Sequence, residues 1–184
     1  MYTPRPLAFD SADTVNRVVA LLVRYPEIHS VRSSPADASV TLSFAVRERL
    51  DRARTKAFGE QVTEHIRAFF DLLGEEPGAI GVSSDRDASV TFVHLTREAA
   101  GFTREELDLV VALFAETFGE RLVRDDAGAP IDDDPAAREE MVEIALDALR
   151  DPARRQRLVG FREEQRVLVY FAHARKRTKA RARS

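Results

Sequence analysis

Large apolar residues alternate with small or polar ones in one stretch near the first third of the chain. Val40, Leu42, Phe44 and Val46 fall at every second position, the period that places side chains on one face of a β-strand. The preceding residues, 28–33, also favour a strand, and the Ser-Ser-Pro-Ala-Asp sequence between the two stretches is typical of a turn. The pattern therefore predicts a β-hairpin whose second strand has one buried face.

The sequence around this hairpin occurs a second time. Residues 33–41 read SSPADASVT, and residues 83–91 read SSDRDASVT. When the comparison is extended to sixteen positions in each copy, nine are identical. This similarity predicts an internal α-ββ repeat, with one unit at about residues 12–48 and the other at about 50–98. In the second unit the predicted turn is the Ser-Ser-Asp-Arg-Asp segment.

Helical periodicity separates the predicted hairpins. Apolar residues at i, i+3, i+4 and i+7 predict amphipathic helices over residues 12–24 and 50–73. Residues 103–106, Thr-Arg-Glu-Glu, form a capping box, and the flanking Phe102 and Leu107 stand at the two positions of a hydrophobic staple. These signals predict the start of a third helix.

A fourth helix and a third hairpin complete the pattern. Asp134 is a favoured N-cap residue, and Pro135 suits the first helical position. Residues 158–161 and 166–171 then resemble strands separated by a polar turn. We therefore expect an α/β fold of the α+β type, in which an antiparallel-rich sheet of three β-hairpins carries the helices. Residues 1–174 are expected to form one compact domain.

The last ten residues differ in charge from the rest of the chain. The whole chain has 28 basic and 31 acidic residues, and six of the basic residues lie in residues 175–184, so the remainder carries 22 basic and 31 acidic residues, a net charge of −9. The six are Arg175, Lys176, Arg177, Lys179, Arg181 and Arg183. We expect this tail to be disordered, and its charges are suited to binding phosphates of RNA or DNA. An acidic protein surface or the chain's own body are alternative partners.

Motifs for metal, cofactor or covalent chemistry are missing from the sequence. It has no cysteine, no GxSxG elbow, no phosphate-binding loop and no HExxH pattern. We therefore assign no metal ligands, no cofactor and no catalytic residue. His94 is the one residue retained as a candidate ligand-binding group, because the repeat aligns it with Phe44 on the face predicted to be buried. A buried imidazole can act as a base or a ligand, or it can be a core residue with one hydrogen bond.

The second repeat unit also predicts an interface. The face that carries Thr91, Val93 and Leu95 is too apolar to be left in water, so a helix or another subunit is expected to cover it. No apolar run approaches the length of a membrane span, about 18 residues, and the first residues lack a signal-peptide pattern. We therefore expect a cytoplasmic protein without a membrane partner.

Three functions remain open at this stage. The first is a non-enzymatic interaction or regulatory protein that binds a protein partner or associates with itself. The second is an RNA- or DNA-associated factor that uses the basic tail. The third is a small-ligand sensor or an enzyme built around His94.

Overall fold

The computed structural model describes residues 9–125, 134–151, 156–163 and 166–172. These residues form helices and strands in the order α1 (Phe9–Arg24), β1 (Ser30–Ser34), β2 (Ser39–Val46), α2 (Arg52–Leu73), β3 (Ile80–Asp87), β4 (Val90–Glu98), α3 (Arg104–Phe118), α4 (Pro135–Arg150), β5 (Arg157–Glu163) and β6 (Arg166–Ala172). Short 3-10 turns follow β1 and α3.

The six strands form one antiparallel sheet. Their order across the sheet is β3-β4-β2-β1-β5-β6, so β2 and β1 lie at its centre and β3 and β6 at its edges. Each of the three predicted hairpins is present as a pair of neighbouring strands. The predicted fold class is confirmed: the protein is a mixed α/β structure with helices packed on an antiparallel sheet.

The helices pack on one face of this sheet. Phe44 of β2 stacks on Phe114 of α3, with ring centroids 3.7 Å apart. Gly59 of α2 lies against Val82 of β3, and Gly160 of β5 lies under α1. The predicted buried face of β2 is confirmed, because all four of its alternating apolar residues belong to the core. The alternation of β2 therefore reflects a sheet with helices on one side.

The predicted helix starts are also confirmed. The side chain of Thr103 accepts a hydrogen bond from the Glu106 amide at 3.2 Å, and that of Asp134 accepts one from the Ala136 amide at 3.0 Å. The Glu106 carboxylate forms a buried ion pair with Arg97. The sequence signal therefore identified the cap correctly but missed the principal partner of its glutamate.

The second hairpin differs from the prediction at its turn. The Ser-Ser-Asp-Arg-Asp segment, expected to be the turn, is part of β3, and the chain reverses at Ala88 and Ser89. Ala38 and Ala88 occupy equivalent positions in the two similar segments, residues 33–41 and 83–91, and both have positive φ angles, of 47° and 50°. The two copies therefore share a local bend at this alanine, although the residues before it are a turn in one copy and a strand in the other.

The strand after this bend presents opposite faces in the two copies. Phe44 of β2 is paired with Val93 of β4, and Ser43 with His94, so His94 lies on the face away from the helices. The prediction that His94 occupies the buried face is wrong. The observed register buries the aliphatic side chains of β4, whereas the predicted one would have buried an imidazole at a cost in desolvation. The structure does not confirm the repeat.

The prediction of a partner interface on β4 is also wrong, because it too depended on which face of β4 the helices cover. Thr91, Val93 and Leu95 are buried, because they face the helices of their own chain. The Thr91 hydroxyl donates a hydrogen bond to the Glu48 carbonyl at 2.7 Å and accepts one from the Leu50 amide at 3.0 Å. The sequence predicted that either a helix or another subunit would cover this face of β4, and in the structure helices of the same chain cover it.

Candidate functional site

The face of the sheet opposite the helices is lined by side chains from all six strands, and none of the four described helices packs on it. We call it the open face. Strand pairing arranges its residues in rows that run from one edge to the other. One row contains Leu168, Phe161, Ser30, Ser43, His94 and Ser83, and the next contains Tyr170, Val159, Arg32, Thr41, Thr96 and Gly81. These two rows are therefore polar in the middle, with aromatic and apolar groups towards β6.

Charges on the open face are separated by strand. The charged positions are Arg32, Arg157, Arg166 and Glu163 on β1, β5 and β6, and Asp85, Asp87 and Glu98 on β3 and β4. We call the first set of strands the basic half of the open face and the second set its acidic half. A polyanion is attracted to the basic half and repelled from the acidic half.

Two aromatic rings of the basic half pack against each other. The Phe161 and Tyr170 rings are 6.0 Å apart at an interplanar angle of 82°. Tyr170 is 49% exposed, and the neighbouring Leu168 is 39% exposed. Arg32 lies in the same row as Tyr170, is exposed, and forms no ion pair with any residue in the described ranges. An aromatic surface near an exposed guanidinium is therefore available to a ligand.

A shallow cavity of about 650 Å³ lies where the two halves meet. Arg32 and Arg157 contribute to its lining from the basic half, and Glu98 does so from the acidic half. The hydroxyl oxygens of Thr41 and Thr96, both lining residues, are 3.0 Å apart. Groups of both charges therefore line this cavity.

His94 joins two strands on the open face. Its Nδ1 lies 2.7 Å from the Ser43 hydroxyl of β2, and its Nε2 lies 3.1 Å from a carboxylate oxygen of Asp85 on β3. The three residues therefore form a Ser-His-Asp chain across β2, β4 and β3. The sequence pointed to the histidine but to neither partner, because Ser43 lies 51 residues away and Asp85 meets it only through the pairing of β3 with β4.

The geometry of this chain favours a structural role over nucleophilic catalysis. Ser43 is only 4% exposed, so a substrate has little access to its hydroxyl. Ser43 lies in the interior of β2, which is paired on both sides, and this flat ladder differs from the tight turns that present backbone N–H groups to an oxyanion. Asp85, in contrast, has an 84% exposed side chain, so its contact with His94 is open to water.

A second imidazole borders the open face at the end of β1. The His29 ring lies 5.0 Å from the ring of Phe92 on β4. Burial lowers the pKa of His29, and the nearby Arg162 guanidinium and His94 imidazole lower it further. His29 is therefore held in its neutral form to a lower pH than an exposed histidine.

The predicted tail site lies outside the described residues. It comprises Arg175, Lys176, Arg177, Lys179, Arg181 and Arg183. The tail follows β6 in the chain, and β6 carries Tyr170 and Leu168 of the basic half. The sequence predicted the hairpin that carries these rings, but the position of β1 and Arg32 beside it depends on the strand order, which period-two alternation does not give.

Comparison of the chain with protein-family models, with curated proteins and with solved structures found no match. Within the described ranges, no group of three or more histidine, aspartate or glutamate side chains is placed to hold a metal ion. No helix in those ranges is long and apolar enough to cross a membrane. The open face is therefore the candidate functional site.

Proposed function

We propose that this chain is a non-enzymatic binding protein whose ligand is a single-stranded nucleic acid held on the basic half of the open face. The observation that carries the proposal is the Phe161–Tyr170 ring pair in the same part of the sheet as Arg32, which is exposed and has no ion-pair partner among the described residues. A cytoplasmic location, expected from the sequence, is part of the same proposal.

Stacking supplies the first part of the affinity. Unpaired bases stack on exposed aromatic side chains, and each stacked base contributes roughly 1–3 kcal/mol without requiring a particular sequence. An antiparallel sheet with one uncovered face is a surface on which bases can spread. Tyr170 offers its ring to solvent, and Phe161 supports it edge-on.

Phosphate contacts supply the second part. Arg32, Arg157 and Arg166 project from three neighbouring strands, and the sequence places six more positive charges after β6. Contacts of this kind weaken steeply with salt because binding releases counterions from the nucleic acid. The carboxylates of the acidic half repel phosphates. We therefore expect the bound nucleic acid to run along β5 and β6 rather than across the sheet.

The proposal is tested by titrating the full chain into a fluorescein-labelled oligouridine and recording fluorescence anisotropy. The site variants are Phe161→Ala, Tyr170→Ala and Arg32→Ala. The matched controls are Leu72→Ala and Arg67→Ala, which remove an exposed apolar residue and an exposed arginine from α2, away from the open face. Each aromatic variant is expected to lose about 10-fold in affinity, equivalent to about 1.4 kcal/mol of stacking.

The control variants should bind like the parent protein. Equal affinity of the parent and of the three site variants would refute the proposal and assign any binding to the tail. The proposal would also be refuted if the parent protein did not bind oligouridine and a second protein co-purified with it in stoichiometric amount. If that protein were absent from the Tyr170→Ala preparation, the same surface would bind a protein partner instead.

A further inference from the structure

The edge strand β6 is apolar on both faces. Val167, Val169 and Phe171 point to the helices and pack against the core, while Leu168 and Tyr170 point to the open face. Apolar residues on both faces are typical of a strand that is buried on both faces, and an exposed apolar edge strand is prone to pair with another strand. In the described part of the chain, however, β6 is paired only with β5.

The opposite edge of the sheet has the usual protection. Gly81, Ser83, Asp85 and Asp87 of β3 occupy the open-face positions there, and all four are exposed. Small and charged residues of this kind discourage pairing with another strand. Between Val167 and Ala172, β6 has no charged residue. The two edges therefore differ in their capacity to accept a further strand.

We propose that β6 pairs with β6 of a second copy of this chain, so that two sheets join into one continuous antiparallel sheet of a symmetric dimer. The segment is self-complementary in antiparallel pairing centred on Val169. Leu168 then lies opposite Tyr170 of the partner subunit, and Val167 lies opposite Phe171 of the partner subunit. Arg166 lies opposite Ala172 of the partner subunit, so no like charges face each other.

Pairing satisfies backbone groups on the outer side of β6 for which the described part of the chain has no partner strand. An edge strand presents unpaired backbone N–H and C=O groups, and a second β6 supplies partners for them. The exposed parts of Leu168 and Tyr170 gain an apolar neighbour across the new pair. A two-fold axis perpendicular to the sheet keeps both open faces on one side, so the two basic halves become adjacent.

The dimer is tested by sedimentation equilibrium of the full chain and two charged variants, L168K/Y170K and L168E/Y170E. In the proposed register each introduced charge faces a like charge, so each variant alone should be monomeric. An equimolar mixture of the two should form a heterodimer, because every lysine then faces a glutamate. The control variant Ser83→Lys places the same charge at an exposed open-face position of the other edge and should remain dimeric.

If each charged variant alone is monomeric and their mixture is dimeric, the result establishes β6 as the contact strand and confirms the register. It also shows that both variants are folded. A parent chain that sediments as a monomer would overturn the proposal. So would charged variants that remain dimeric alone, or a Ser83→Lys variant that is monomeric, because each result places the contact elsewhere.

Discussion

Arg97 and Glu106 form an ion pair that is closed to solvent. Their side chains are 1% and 0% exposed, and the pair links β4 to the first turn of α3. Arg97 also donates hydrogen bonds to the carbonyls of Ala79 and Pro77, which fixes the segment between α2 and β3. Burial raises the pKa of Glu106, and the adjacent guanidinium of Arg97 opposes that rise.

Removing one partner of this pair should be strongly destabilising. Arg97→Met leaves a buried carboxylate without its counter-charge, and Glu106→Leu leaves a buried guanidinium, so each should cost about 3–5 kcal/mol of unfolding free energy. The double variant R97M/E106L should lose less than the sum, because neither charge remains buried. Urea unfolding of the four proteins measures the coupling. Additive losses would mean that the two side chains do not interact as the structure has them.

The strained alanine in the second hairpin should tolerate glycine well. Ala88 has φ 50°, a left-handed conformation in which a Cβ atom costs roughly 1–2 kcal/mol. Ala88→Gly should therefore raise the unfolding free energy by about 0.5–1 kcal/mol after the added flexibility of the unfolded chain is counted. Ala112→Gly, at an exposed position of α3, is the control and should cost about 1 kcal/mol. A loss of stability in Ala88→Gly would contradict the turn.

The absence of a side chain at Gly160 allows α1 to approach the sheet. A Cβ atom there would lie 2.8 Å from Val18 and 3.0 Å from Leu22, which is too close for carbon atoms. Gly160→Ala should therefore cost about 1–3 kcal/mol in thermal or urea unfolding. Gly81→Ala is a matched control in β3, where the nearest atom is 3.7 Å away, and it should leave stability nearly unchanged. Equal effects of the two substitutions would mean that α1 is not packed as described.

His29 should make the protein less stable in mild acid. Because its pKa is lowered in the folded state, the unfolded chain binds the proton more readily, and stability falls as the pH drops through the unfolded value of about 6.5. His29→Phe keeps a ring beside Phe92 but cannot titrate. The variant should lose less unfolding free energy than the parent between about pH 7.5 and about pH 5.5. An equal loss in both proteins would refute this contribution.

Local signals in the sequence predicted local structure well. The alternation in β2 and the caps at Thr103 and Asp134 depend on neighbouring residues, and the structure has all three. The faces of β4 were predicted wrongly, because they depend on pairing between strands that the repeat did not reveal. The same limit applies to the site: Phe161 and Tyr170 belong to one hairpin, but only the pairing of β1 with β5 places Arg32 in the row of Tyr170.

The central claim is that unpaired bases lie on the open face, and the most direct measurement compares a single strand with its duplex. The full chain is titrated with a labelled single-stranded RNA and with the same RNA annealed to its complement, at about 0.05 M and about 0.2 M salt. We predict tighter binding of the single strand at both salt concentrations, because stacking on Tyr170 requires exposed bases, and weaker binding of both forms at the higher salt. Equal affinity for single strand and duplex, or binding of neither, would contradict the claim.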